Sequence, residues 1–192
     1  ASLPSPRGGH AAVVLDGRIH VLGGGNSVST LADHSVYDPE TDRWTAAAPL
    51  RRPKGSPAAA VLDGRVYAIG GRSGASDFGD VEIYDASADR WTAGPPIPPR
   101  GTVGAAAYGR SLYVFGGESQ GKGKVLADVL RLAPGARAWA PVERLPTARA
   151  YARAVSFRRA VYVVGGSRVT ASSHAAPGAR VVERLVLPPQ SR

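Results

Sequence analysis

The chain has 192 residues, 43% of them hydrophobic and 20% charged, which suits one folded domain with a sizeable core rather than a disordered segment. It contains no cysteine, which excludes disulfides, thiolate catalysis and cysteine-ligated metal sites, and no apolar run approaches the roughly 18 residues that a membrane helix needs. The net charge of +9 favours anionic partners without specifying them.

Four short strands, A to D, are predicted in the first quarter of the chain. They are His10–Leu15, Ile19–Leu22, Ser35–Tyr37 and Trp44–Ala48. Asp16-Gly17 lies between the first two apolar runs and predicts a tight hairpin, because both turn residues tolerate positive φ. Strands C and D are separated by a polar turn.

The same order of elements is predicted three more times. The second copy comprises Ala58–Leu62, Val66–Ile69, Val81–Tyr84 and Trp91–Ala93. The third comprises Gly104–Tyr108, Leu112–Phe115, Val129–Leu132 and Trp139–Val142. The fourth comprises Ala152–Phe157, Val161–Val164 and, as strand C, Arg180–Leu187. With Leu187 in the place of Tyr37, the fourth Trp would fall just beyond Arg192. No segment has a convincing helical period.

Each predicted strand B runs into a diglycine, as in RIHVLGG, RVYAIGG, SLYVFGG and AVYVVGG. The first glycines, Gly23, Gly70, Gly116 and Gly165, are 47, 46 and 49 residues apart. A fixed period of this size indicates a repeat architecture, and a four-stranded propeller blade takes roughly 40–50 residues.

Other positions agree between the copies. Tyr37 and Tyr84 are each followed by Asp and, seven residues later, by Trp44 and Trp91. The third copy has Trp139. A basic residue lies 16 residues before each diglycine, and these residues are Arg7, Lys54, Arg100 and Arg149. This combination of apolar strand, diglycine, Tyr-Asp, Trp and upstream Pro-x-x-Arg closely resembles the kelch repeat, over nearly the whole chain.

The resemblance implies an all-β, kelch-type β-propeller in a single domain, 1–192, with four blades of four antiparallel strands. The blades are expected at about 8–48, 55–94, 101–142 and 150–187, and the fourth lacks its outer strand. Strand A should lie near the axis and strand D at the rim, with Trp and Tyr packed between blades. Kelch propellers usually have more than four blades. Three arrangements therefore stay open: part of a larger ring, a small closed ring, or self-association of two chains to close one ring.

Strands of a blade alternate in direction, so the B–C and D–A loops share one face, here called the loop face. This face is net basic and carries the longer loops, where binding usually resides. The expected ligand-binding residues are Arg7, Arg52, Lys54, Arg72, Arg100, Lys122, Arg149 and Arg168. The four repeat-equivalent basic residues would form an arc at the channel entrance, or would instead anchor a loop carbonyl.

The leading functional hypothesis is a binding module for an acidic protein segment or another anionic ligand. One alternative is an enzyme acting on an anionic sugar, since the sialic-acid epimerases are also kelch propellers. Another is a partial propeller that serves only as scaffold. Galactose oxidase is similar in its blades, but its copper site requires a cysteine, which this chain lacks.

No catalytic residue, cofactor or metal site is predicted. The four histidines lack metal-ligand spacing, and the diglycine loops lack the phosphate-binding G-x-x-x-x-G-K-[ST] pattern. Nucleic acid is disfavoured, because Phe78 and Tyr151 are the only loop aromatics for stacking. The compartment stays open, and secretion or a periplasmic location after processing is compatible with the sequence.

Overall fold

The computed structural model describes residues 1–170, 181–185 and 187, and these residues form four small antiparallel sheets around a common axis. The strands of the first blade are Ala11–Leu15 (β1), Arg18–Leu22 (β2), His34–Asp38 (β3) and Arg43–Ala47 (β4). They pair in the order β1-β2-β3-β4. Asp16 and Gly17 of the first hairpin turn both have positive φ, as predicted.

The other blades repeat this order. The second consists of Ala58–Leu62 (β5), Arg65–Ile69 (β6), Val81–Asp85 (β9) and Arg90–Gly94 (β10). The third consists of Gly104–Tyr108 (β11), Ser111–Phe115 (β12), Asp128–Leu132 (β15) and Ala140–Arg144 (β16). The fourth consists of Arg153–Phe157 (β17), Ala160–Val164 (β18) and Val182–Leu185 (β19). The predicted all-β, four-bladed arrangement is confirmed.

Two B–C loops contain small hairpins that the sequence did not predict. In the second blade, Arg72–Ser73 (β7) pairs with Ser76–Asp77 (β8). In the third, Glu118–Ser119 (β13) pairs with Lys124–Val125 (β14), around a single short 3-10 helix, Gln120–Lys122. These hairpins give the loop face an ordered surface.

The fourth blade corrects one assignment. Leu185 lies opposite Val161, as Tyr84 lies opposite Val66 in the second blade. Leu185, rather than Leu187, therefore takes the place of Tyr84. The predicted strand C was also too long, because β19 begins at Val182 and ends at Leu185, and Arg180 lies outside the described residues.

Tryptophans at or just before the start of strand D connect the first three blades to the chain before them. Trp91 is buried, and its Nε1 donates to the carbonyl of Ala48 at the end of the first blade, at 2.8 Å. Trp139 makes the same bond to Pro95 at 2.8 Å. Trp44 makes it to Ala1, at 3.2 Å, so the N-terminal segment stands where the end of a preceding blade would stand. These contacts hold the outer parts of the blades together.

The A strands line the axis, as predicted. Residues at the loop-face ends of β1, β5, β11 and β17 line a channel of about 320 Å³ that is partly open. Apolar side chains pack between the first and second, second and third, and third and fourth blades. Among the described residues, no hydrogen bond or ion pair joins the fourth blade to the first.

Candidate functional site

Four repeat-equivalent residues surround the axis at the loop face and share a left-handed backbone. Their φ angles are 59° at Gly9, 49° at Ser56, 56° at Thr102 and 60° at Tyr151. The amides of Ser56, Thr102 and Tyr151 each donate to the carbonyl one blade earlier, at 2.7, 3.2 and 2.9 Å. We call these four residues the axial ring. A left-handed conformation is unusual for a β-branched residue such as Thr102, so contacts between blades must hold it.

An ion-pair cluster lies beside the axial ring. Arg72 Nη2 is 2.6 Å from Glu118 Oε1 and 3.4 Å from Asp77 Oδ1, and Glu118 is fully buried. Tyr151 interacts with both Arg72 and Glu118, and burial raises the pKa of its hydroxyl. A Cβ at Gly101 would lie 2.5 Å from Arg72 Nε, so the guanidinium packs directly against the backbone there. Two protein carboxylates therefore neutralise Arg72, one of the predicted ligand-binding residues.

Three of the repeat-equivalent arginines make one common set of contacts. Nε donates to a carbonyl two residues earlier, Nη1 donates to the first glycine of the following diglycine, and a terminal nitrogen reaches a carboxylate. The glycine carbonyls are those of Gly23, Gly116 and Gly165, at 3.4, 3.3 and 3.0 Å. The carboxylates are Asp33, Asp128 and Glu183, at 2.9, 2.8 and 2.6 Å. The arginines are Arg7, Arg100 and Arg149.

Lys54 fills the same place in the second blade with different contacts. Its Nζ lies 2.6 Å from Asp80 Oδ2 and 2.8 Å from Glu82 Oε1. The exposed fraction of the side chain is 0% for Lys54 and Arg149, 1% for Arg7 and 5% for Arg100. The structure places all four inside the blades, bound to carbonyls or carboxylates. This geometry matches the anchoring alternative rather than an arc of free cations at the channel entrance.

The remaining predicted residues are more accessible. Arg52 is half exposed, lies 3.4 Å from Asp80 and stacks 4.6 Å above the ring of Phe78. Lys122 and Arg168 are exposed, and neither makes an ion pair within the described part of the chain. The predicted set of eight therefore divides into five ion-paired groups at or near the axis and three groups toward solvent.

A buried histidine pair was not predicted from the sequence. His20 Nδ1 lies 2.8 Å from His34 Nε2, and His34 Nδ1 lies 3.3 Å from the carbonyl of Ala48. Since a carbonyl only accepts, His34 carries its proton on Nδ1 and accepts from His20. Burial lowers the pKa of both imidazoles, that of His34 to about 4. Both rings contact Tyr84, so the pair belongs to the junction between the first two blades.

The sequence had placed these histidines in a strand and a loop, with no relation between them.

A family model for the kelch-repeat domains of the KLHDC2/KLHL20/DRC7 type matches residues 2–166. The chain belongs to the kelch-repeat family. No curated protein matches it. Kelch-repeat propellers typically serve as protein-interaction modules, so the family assigns a class of function and leaves the partner open.

Two further features bear on function. Within residues 1–170, 181–185 and 187, no group of three or more His, Asp or Glu side chains is arranged to hold a metal ion. In the same residues, no helix has the length and apolar character to cross a membrane.

Proposed function

We propose that this kelch propeller binds an acidic protein segment through the exposed cations of its loop face. These cations are Arg51, Arg52, Lys122, Lys124 and Arg168. The observation that carries the proposal is the division of cations on this face. The buried set is neutralised by protein carboxylates, whereas in the exposed set only Arg52 has an ion-pair partner among the described residues. Exposed, unpaired cations remain available to a partner's carboxylates.

Hydrogen bonds join the B–C loops of the first three blades into one surface. The amide of Gln120 donates to Asp77 Oδ2 at 2.6 Å, which joins the B–C loops of the third and second blades. Ser73 Oγ donates to Thr30 Oγ1 at 3.2 Å, which joins those of the second and first. Arg52, held over Phe78, adds an apolar surface beside a charge. An extended chain lying across several blades would meet cations from more than one loop.

A protein segment fits this surface better than a small anion does. Lys122 and Arg168 come from the B–C loops of different blades, and an extended segment with several carboxylates can pair with cations on both loops. Near the axis, the carboxylates of Asp77 and Glu118 neutralise Arg72, which leaves Arg153 of the channel lining as a cation there. The other exposed cations lie on the outer loops, so recognition of an acidic segment is expected toward those loops.

Binding of a labelled oligoglutamate peptide, followed by fluorescence anisotropy, tests the proposal. The variant Lys122→Glu/Lys124→Glu reverses two exposed charges on the loop face. The control Arg43→Glu/Arg90→Glu reverses two exposed charges on the opposite face and changes net charge equally. We expect the loop-face variant to weaken binding roughly tenfold, equivalent to about 1.4 kcal/mol, and the control to weaken it much less.

Added salt gives a second readout. Raising ionic strength from about 0.05 to 0.2 M should weaken binding of the wild type, because exposed ion pairs are screened. Equal loss in both double variants would show that only net charge matters and would contradict a loop-face site. Sialic acid and single-stranded DNA serve as competitors. If sialic acid displaces the peptide at a lower concentration than single-stranded DNA does, the result would favour the sugar-binding alternative.

A further inference from the structure

The fourth blade presents an exposed apolar flank, whereas the equivalent flanks of the other three blades are covered by the blade that follows. We call the side of a blade that faces the next blade its leading flank. In the third blade this flank includes Ala106, Phe115 and Val129, which are 6%, 0% and 0% exposed against the fourth blade. In the fourth blade the equivalent residues are Val155, Val164 and Val182, which are 53%, 42% and 62% exposed. Phe157, on the same flank, is 56% exposed.

The first blade exposes the other half of this type of junction. We call the side that faces the preceding blade the trailing flank. In the second blade it includes Ala59 and Val61, which pack partly buried against the first blade. Their equivalents in the first blade are Ala12, which is exposed, and Val14, which is 62% exposed. One chain therefore carries an unfilled leading flank and an unfilled trailing flank.

Backbone hydrogen bonds of the diglycines show the same open junction after the fourth blade. In the first three blades, the amide of the second glycine of the diglycine donates to a carbonyl of the next blade. These glycines are Gly24, Gly71 and Gly117, and the distances are 3.0, 3.1 and 2.9 Å. These carbonyls belong to Lys54, Arg100 and Arg149. They also crowd the first glycine of each pair, whereas no described residue places a heavy atom within 4 Å of a Cβ built at Gly165. In the described part of the chain, the amide of Gly166 makes no such bond.

We propose that two copies of this chain close one ring, with the fourth blade of each packed on the first blade of the other. A second copy is the fitting partner, because its trailing flank is repeat-equivalent to the flanks that already cover the first three leading flanks. Gly166 would then donate to the carbonyl of Arg7 of the partner subunit, as Gly117 donates to Arg149. Two such junctions are equivalent under a two-fold axis, and they leave no flank open.

The size of the resulting assembly is consistent with known propellers. Two copies contribute eight blades, and propellers typically have four to eight. Each junction would cover apolar surface that a single chain exposes, including Phe157 and Val14. Since each copy has a net charge of +9, the copies repel at long range. Added salt should therefore strengthen this association while it weakens binding of an acidic peptide.

Sedimentation equilibrium on the full chain tests the proposal, with a series of concentrations from about 1 to 100 μM spanning micromolar affinities. The wild type should sediment at twice the chain mass. Phe157→Asp and Val14→Asp each place a carboxylate on one of the two flanks, at positions that are exposed in a single chain, and each should yield monomers. Val28→Asp is the control, because Val28 is 89% exposed in a B–C loop and lies on neither flank. It should remain dimeric.

A mixture of the two flank variants gives a sharper outcome. The Val14→Asp chain retains its leading flank, and the Phe157→Asp chain retains its trailing flank, so together they can form one intact junction. The mixture should therefore recover dimers that neither variant forms alone. A compact wild-type monomer at the highest concentration would overturn the proposal, as would dimers that both variants leave unchanged. Open chains of many copies would overturn the closed two-chain ring.

Discussion

The basic residue that precedes each diglycine illustrates how one side chain can define a repeat. The guanidinium of Arg149 binds the carbonyls of Thr147, Gly165 and Val181 and the carboxylate of Glu183. A guanidinium has five donors in a fixed plane, so it can bind two loops and a strand at once. Lys54 has three donors on a flexible stem and reaches two carboxylates instead. The positive charge at this position therefore stabilises contacts within the blade.

Replacing Arg149 should therefore affect stability. Arg149→Met keeps most of the apolar stem but leaves Glu183 buried without its cation. Breaking a buried pair in this way costs about 3–5 kcal/mol of unfolding free energy. Arg144→Met is the matched control, because Arg144 is exposed and makes no ion pair within the described residues. Its change should stay within about 0.5 kcal/mol. Urea unfolding at one protein concentration and pH 7 measures both, and equal losses would argue against the anchoring role.

At the scale of the strand and its turn, the diglycine joins neighbouring blades. Gly70 has a φ of 61°, and a Cβ there would lie 2.7 Å from the carbonyl of Arg100 in the next blade. Gly64, in the A–B hairpin turn of the same blade, has a φ of 70° and open space around it. The two glycines share a backbone requirement but differ in their surroundings.

Alanine substitutions at Gly64 and Gly70 distinguish the cost of backbone strain from the cost of a clash with the next blade. Gly64→Ala should lower the free energy of unfolding by about 1–2 kcal/mol, the cost of placing a side chain in the left-handed region. Gly70→Ala carries the same strain and also forces the third blade away from the second. We expect its loss to exceed that of Gly64→Ala by at least about 1 kcal/mol in urea unfolding. Similar losses would indicate that the junction adjusts to a methyl group.

Sequence spacing predicted the blades because their strands follow local rules. An apolar run, a tight turn and a diglycine each act within a few residues, so the four copies could be aligned. The ion pairs of the loop face are less local. The carboxylates that bind Arg7, Arg100 and Arg149 lie 26, 28 and 34 residues away, across B–C loops of different length. No fixed spacing marks these pairs, so the sequence could not distinguish an anchored arginine from a free one.

For the whole molecule, stability depends on junctions that differ in chemistry. The second and third blades meet through Ile69, Val81, Val103 and Val114, all almost fully buried. The first and second blades also meet through apolar side chains, but their junction contains the buried imidazoles of His20 and His34, beside Trp91 and Tyr84. Apolar contacts are insensitive to pH, whereas a buried pair of imidazoles is not, so of these two junctions only that between the first and second blades contains a pH-sensitive part. The first junction should therefore be the part of the ring that weakens first in mild acid.

The sign of this effect follows from the direction of the pKa shifts. Burial lowers the pKa of His34 from 6.5 to about 4, and that of His20 is also lowered. Below pH 6.5 the unfolded chain binds protons that the folded chain excludes, so the stability present above this pH is lost as the pH falls toward 4. For His34 alone the loss is about 3 kcal/mol over this range.

A variant that carries the equivalent residues of the second blade in place of the two histidines tests this prediction. His20 and His34 occupy the places of Tyr67 and Val81 in the second blade. His20→Tyr/His34→Val therefore replaces both imidazoles with side chains that this type of blade already accommodates. Urea unfolding at one protein concentration, from about pH 7 to 4, should show a steep decline for the wild type and a flatter profile for the variant. Asp89, whose pKa is lowered by the amide of Ala48 and the hydroxyl of Tyr84, loses its contribution at still lower pH in both proteins. Parallel profiles would show that the pair is not responsible for acid sensitivity between pH 7 and 4.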